Sequence, residues 1–399
     1  MAIVSSLNRR TLIKGIALGS ALAIAPRRAR AGINGPIRLG ALVPLTGAGG
    51  VWGPKMAMVH KMVVDEVNAA GGIGGQQIEY YYEDDQTNPD TGVLAVRKLI
   101  DVNHVVAVMG VWSSAVAAPT LPICWENKVV MLAIASSDSL SALPHQGYFI
   151  RTNVDVLLQG REIGKFAVAQ GAKNIFVLLA QTPFNIPMMK GLTEVTRSQG
   201  LKVGSLVYDS RKTSFRSEVD EALRGSPDLI FLGGYPQDNI VLLKDIYRAS
   251  YSGKIVGTGT GVTSQLIDGA GKDVVEGLYV VRPSPAVTSA AYRKLQKIVG
   301  METPDTSLCQ CYDQANLALL SVALAGESSG TAIRDNIRKI GGPDGRPVDN
   351  VVDGLKLLSQ GKKINYEGAS GPCEFLPDGN VARAFFRTLQ VRSGKLVDI

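Results

Sequence analysis

Residues 40–75 read GALVPLTGAGGVWGPKMAMVHKMVVDEVNAAGGIGG. The apolar run from Ile37 to Leu45 that begins this stretch has the length and continuity of a strand buried on both faces. A glycine-rich turn follows. Met56, Val59, Val63 and Val67 then recur on one face of a helix expected over Gly53 to Ala70. The GGIGG run over 71–75 turns the chain again. Strand, glycine turn and helix in this order open a parallel α/β unit, and such a turn often cradles a phosphate. Trp52 argues against a phosphate here. The backbone cannot approach a pyrophosphate closely beside an indole, and no Lys-Ser/Thr pair follows at the spacing of a P-loop.

The same alternation continues outward. Strands are expected at 77–85, 105–110, 129–136 and 147–153, with helical patterns between them. The series restarts after residue 153, with strands at 174–180, 202–209, 228–235, 254–259 and 277–283. Continuous apolar strands alternating with helices imply parallel sheets covered on both faces. Two series of about five strands imply an α/β protein of two doubly wound parallel-sheet lobes. The chain after Ser284 is mainly helical, most clearly over 307–326. A strand pair over 371–399, turning at Asp378-Gly379, is expected to end it.

The first residues carry a different message. Asn8 to Lys14 reads NRRTLIK, a mild apolar stretch follows, and Ala29 to Ala31 supplies small residues for cleavage. Residues 1–31 therefore read as a twin-arginine export signal cut near Ala31, and the product is expected to be periplasmic. The formal net charge of +7 is concentrated in this segment, in Arg9, Arg10, Lys14, Arg27, Arg28 and Arg30. Removing it leaves about +1, so the basic balance is no argument for nucleic acid as a partner. Of the four cysteines, Cys309 and Cys311 are too close to pair with each other, and pairing of either with Cys373 stays open. The cysteine spacing is a poor zinc site, and no metal or cofactor is expected.

Ligands of a parallel sheet collect beyond the carboxyl ends of its strands. Those ends carry Trp52; Trp112, Ser113 and Ser114; Ile134, Ala135, Ser136 and Ser137; Phe184; Tyr235; and Thr260. They are hydroxyls, helix starts and rings, with no histidine among them. Ser114 at a helix start offers a hydroxyl beside free N–H groups, and the helix dipole favours an anion there. Trp52 offers an apolar surface for the rest of a small organic acid. A catalytic serine would need a base and an orienting acid, and no G-x-S-x-G elbow is present, so no catalytic residue is assigned. Asp84 and Asp85 point to opposite faces of their strand and are expected in solvated, helix-capping roles.

From residue 44 onward several stretches resemble type I periplasmic solute-binding proteins of the leucine/isoleucine/valine-binding group, the receptors of ABC importers. They include PLTGAGGVWG, DEVNAAGGIGGQQIE, EDDQTNPDTG, GVWSSAVAAPTLPICWENKVVML, IFLGGYPQD, VEGLYVVRP, YDQANLALL and GPCEFLPDG. The resemblance implies lobes joined by three crossovers, here 33–152 with 284–360 and 153–283 with 361–399, closing on a solute by hinge motion. It implies a carboxylate held by Ser114, backbone contacts at Ile134, a hydroxyl contact at Ser136, a lid ring at Trp52 and second-lobe rings at Phe184 and Tyr235. It also implies an ABC permease in the inner membrane as partner and a monomeric receptor. One position departs. Where amino-acid binders place an acid for the ligand's ammonium, this chain has Thr260, which cannot supply that charge. A ligand with a carboxylate but no α-amino group is therefore expected, an aromatic or aliphatic acid or an amide, with a neutral amino acid remaining if Asp238 or a water network compensates. A ligand-sensing subunit serving a signalling partner is the other reading of the same fold.

Overall fold

The computed structural model describes residue 33 and residues 35–399 except 211 and 343. The expected export signal lies outside the described residues. The first sheet has β1 Ile37–Val43, β2 Ile78–Asp84, β3 Ala107–Val111, β4 Val130–Ala133 and β5 Phe149–Arg151, all parallel, in the order β2-β1-β3-β4-β5. The second has β6 Asn174–Ala180, β7 Lys202–Tyr208, β8 Leu229–Gly233, β9 Lys254–Thr258 and β10 Tyr279–Ser284. A short parallel pair, β11 Arg346–Val348 and β12 Ile364–Tyr366, stands apart from both sheets. β13 Phe385–Arg392 and β14 Lys395–Asp398 complete the second sheet, whose order is β14-β13-β10-β9-β8-β6-β7. Its first five strands are parallel, and the last two join antiparallel.

Both faces of each sheet are covered, as the unbroken apolar strands require. Val43 and Met109 pack on one side of the first sheet with the Gly53–Ala69 and Thr306–Ala325 helices, while Val108 and Met131 pack on the other with the Ser114–Glu126 helix. The second sheet divides in the same way between Leu178 with Leu232 and Val177 with Phe231. Each fully buried Val, Leu or Phe side chain contributes about 1.5–3 kcal/mol by leaving water. The chain passes between the lobes after β5, after β10 and ahead of β13, which gives the three-crossover hinge.

The C-terminal part differs from expectation in two ways. Residues from 361, expected in the second lobe, stay with the first as far as Asn380: Tyr366, Ala369 and Cys373 belong to the core that contains β1, Phe375 packs against it, and Asn380 Oδ1 accepts from Ser141 and Arg151. The turn at Asp378-Gly379 exists, closed by Gly379 N–H donating to Leu376 O at 3.0 Å, but it carries only an isolated bridge between Phe375 and Val381. The sheet hairpin is β13–β14, with its turn at Ser393-Gly394. The earlier turn docks instead on β5. Gly379 O accepts from Arg151 N–H at 2.8 Å, and a Cβ on Gly379 would lie 2.3 Å from Phe149 O.

The four cysteines are buried and free, so the pairing left open for Cys373 is not formed. Asp84 organises the β1 turn, accepting from Leu45 N–H at 2.8 Å, Thr46 N–H at 3.2 Å and Thr46 Oγ1–H at 2.6 Å. Asp85 is buried rather than solvated. It accepts from Thr87 N–H at 2.7 Å, and burial pushes its carboxyl up to about 6.

His60 sits on the covered face of the Gly53–Ala69 helix, 3.3 Å from Gln314 Oε1 through Nε2 and 3.3 Å from the Tyr80 hydroxyl through Nδ1. Burial pulls its imidazole down to about 4, so it stays neutral in the fold. The unfolded chain takes up a proton near 6.5 that the folded chain refuses. His60 therefore contributes stability that is complete above that pH and is lost as pH falls toward 4. The destabilisation caused by His60→Gln in urea titrations should shrink by on the order of 2 kcal/mol between pH 7 and pH 5. A pH-independent difference would mean that the folded imidazole titrates normally.

Candidate functional site

The two sheets share one strand order, and in each it reverses beside the first strand of the series. Those reversals, between β1 and β3 and between β6 and β8, are where loops diverge and leave a crevice. Both open into one cleft of about 950 Å³ with the open solvent at its mouth included. Its lining includes Trp52, Trp112, Ser113, Ser114, Ile134 and Ser136 from the first lobe, and Phe184, Tyr235 and Thr260 from the second. Ala135 and Ser137, expected with them, do not line it. Ala135 belongs to the core on the far side of the first sheet, and the Ser137 hydroxyl turns to Ser139 Oγ at 2.9 Å and Pro183 O at 3.2 Å.

The glycine turn of the opening stretch makes room for rings. A Cβ on Gly49 would lie 3.0 Å from the Trp112 ring and 2.7 Å from Pro44 Cγ, and one on Gly53 would lie 1.9 Å from Pro44 O. Without side chains there, the β1 loop folds down and Trp52 stacks on Trp112, with centroids 4.7 Å apart and planes at 26°. Tyr235 approaches the Trp112 ring at 5.5 Å from the second lobe. Three rings thus form a wall that crosses from one lobe to the other, and the Ser137–Pro183 bond adds a polar contact across the same gap.

Ser113 precedes the Ser114–Glu126 helix in extended conformation and makes no side-chain cap bond, so the first-turn N–H groups stand at the cleft without that partner. Ser114 Oγ accepts from Ser137 N–H at 3.2 Å and keeps its own proton to donate. Ser136 is already engaged. Its hydroxyl lies 3.1 Å from Ile134 O and accepts from Asn153 Nδ2–H at 2.7 Å.

On the second lobe, Asn185 bridges the reversal between β6 and β8, donating to Ala180 O at 2.6 Å and Gly233 O at 2.8 Å. This fixes the start of the Asn185–Ser198 helix, and Phe184 with it. Tyr235 precedes the Pro236–Arg248 helix, and burial pushes its phenol up to about 12. Thr260 Oγ1 lies 3.0 Å from Thr258 Oγ1. Asp238 is buried in the first turn of the Pro236–Arg248 helix and does not line the cleft.

The cleft has a hinge-side wall that the sequence reading missed: Asn153, Gln159, Arg282, Asp305, Thr306, Ser307 and Gln310. Arg282 ends an apolar strand run, so the strand-end rule was sufficient to flag it. Asp305, Thr306 and Ser307 carry a capping signature before a long apolar helix, and Asp305 does cap it, accepting from Leu308 N–H at 3.1 Å. Nothing local in that signature points across to strands far earlier in the chain.

The model of a family described as periplasmic binding protein matches residues 36–395. The chain belongs to this family. The match spans both lobes and agrees with the resemblance to the leucine/isoleucine/valine-binding group. A curated relative, the chemotactic signal transduction system substrate-binding protein BasB of Halobacterium salinarum, is 22% identical over 84% of this chain and 82% of its own. Among solved structures, a leucine binding protein, LivK, of Thermotoga maritima superposes with TM-score 0.77 at 20% identity, covering 91% of this chain and 97% of its own. The solute binding protein of an ABC transporter from R. palustris, solved in complex with benzoate, superposes with TM-score 0.73 at 17% identity, covering 92% and 96%. At these identities the structures establish the shared two-lobed fold. The family is one of solute-binding periplasmic proteins, and no described helix is long and apolar enough to cross a membrane.

Proposed function

We propose that this family member is the extracytoplasmic receptor of an ABC importer, and that its ligand is a small acid with a flat apolar body and no α-amino group. The observation that carries this reading is the make-up of the cleft. A helix start with Ser113 and Ser114 faces a wall of Trp52, Trp112 and Tyr235, and the second lobe presents Thr260 where an ammonium would need an acid. N–H groups and a hydroxyl favour a carboxylate. Stacked rings favour an aromatic or otherwise flat body. The benzoate complex of the R. palustris protein is consistent with this class, whereas the leucine binding protein of T. maritima represents the zwitterionic alternative. Closure around the ligand would shift the population toward the form that the permease recognises.

Thermal-shift measurements on matched pairs test the ligand class. Hydrocinnamate should stabilise the protein more than phenylalanine, and isocaproate more than leucine. Stabilisation by the amino acids alone would reverse the Thr260 argument. Ser114→Ala should weaken acid binding by about 1–3 kcal/mol through loss of one hydrogen bond to a charged group. An unchanged affinity would reduce Ser114 to a helix-start residue.

The BasB relative supports a second reading, a receptor that reports to a signalling partner. Uptake of the labelled acid by cells lacking this protein separates the two. Lost uptake supports transport; normal uptake with a lost behavioural response supports sensing.

A further inference from the structure

Arg282 lies near the carboxyl end of β10 and lines the hinge side of the cleft. Its stem crosses Gly259, where a Cβ would come within 2.7 Å of Arg282 Cβ and 2.9 Å of Cδ. The glycine therefore leaves the space in which this side chain lies. The guanidinium is poorly compensated: its buried Nε has no hydrogen-bond partner among the described residues. Across the antiparallel ladder it stands opposite Arg387, a like charge, whose own partner is Asp398 at 3.4 Å. Asp305 is the acid that shares the cleft lining, and its carboxylate also caps the Thr306–Ala325 helix and feels Lys55. Asp305 and Asp398 are the acids that act on Arg282, and Arg387 opposes them as a like charge.

A buried donor without an acceptor is costly, and a guanidinium fork matches a carboxylate. The first lobe already offers an anion-favouring helix start at Ser114. A ligand with one acid group leaves one of these two ends without an acceptor. We infer that the cleft takes a solute with two acidic groups, one at the start of the Ser114–Glu126 helix and the other at Arg282 on the second lobe. This rests on the carboxylate reading above and narrows it. Closure then depends on both charges, because each lobe holds one end of the ligand.

The test is isothermal titration of the wild-type protein with paired probes, benzoate against terephthalate and hexanoate against adipate. In at least one pair the diacid should bind about tenfold tighter or more than its monoacid. Arg282→Gln should collapse that ratio to within about threefold, and Arg282→Lys should retain part of it. Gly259→Ala, which keeps the charge but displaces the stem, should also reduce the ratio. If monoacids bind and no diacid exceeds its partner, the two-acid inference is overturned while the carboxylate reading stands. A ratio that survives Arg282→Gln also overturns it. If neither kind of acid binds wild-type protein, the carboxylate reading itself fails. Should Arg282→Gln not fold, the wild-type ratio and Gly259→Ala decide the question.

Discussion

Asp313→Ala should destabilise the folded protein by about 3–5 kcal/mol, without touching the cleft. Asp313 is fully buried on the Thr306–Ala325 helix. Its carboxylate accepts from the Tyr366 hydroxyl, Ala369 N–H and Ser370 N–H, each at 2.8 Å, and from the Ser370 hydroxyl. Gly368 lets the chain come this close, since a Cβ there would lie 2.5 Å from Asp313 Oδ2. The same segment accepts Ala286 N–H at Ala369 O, at 2.9 Å, so the second crossover is tied to it as well. Alanine leaves these buried donors without their acceptor, which costs more than a lost surface contact. Asn keeps one acceptor oxygen, so Asp313→Asn should fall between. Urea denaturation checks the order, and a loss below about 1 kcal/mol for Ala would mean that water replaces the carboxylate.

Trp112→Ala should weaken acid binding by about 3 kcal/mol, roughly a hundredfold or more. The indole is the middle ring of the wall, stacked on Trp52 and facing Tyr235 across the lobes. Its removal opens a cavity beneath the ligand and deletes an apolar contact between the lobes. Both effects favour the open form, because closure then buries less surface. Trp112→Phe retains a ring and should lose much less. Binding of the alanine variant at wild-type strength would show that ligand and wall do not touch.

The sheets were legible because their strands are short apolar runs buried on both faces, such as Asn174–Ala180 and Leu229–Gly233, and such runs have few other solutions. The mouth of the cleft was legible for the same reason, since strand ends fix where Trp52, Ser114 and Tyr235 emerge. The hinge wall was not. Asp305 and Gln310 reach the cleft through packing of a helix against strands far earlier in sequence, and no local period records that contact. Residues 364–373 join the first lobe because the Asp313 carboxylate and the Tyr366 ring hold them there, a long-range polar preference that hydrophobic patterning does not display. Arg282 was readable in principle, and its place in an otherwise apolar run was the available signal.

On this account the cleft holds an acid and offers uncharged Thr260 at the position where an α-ammonium group would need a carboxylate. The most direct test is the identity of the small molecule released when protein purified from its native periplasm is denatured and the supernatant is read by mass spectrometry. The expected result is an organic acid, with two carboxyl groups if Arg282 acts as inferred. Stoichiometric leucine, isoleucine or valine would contradict the claim.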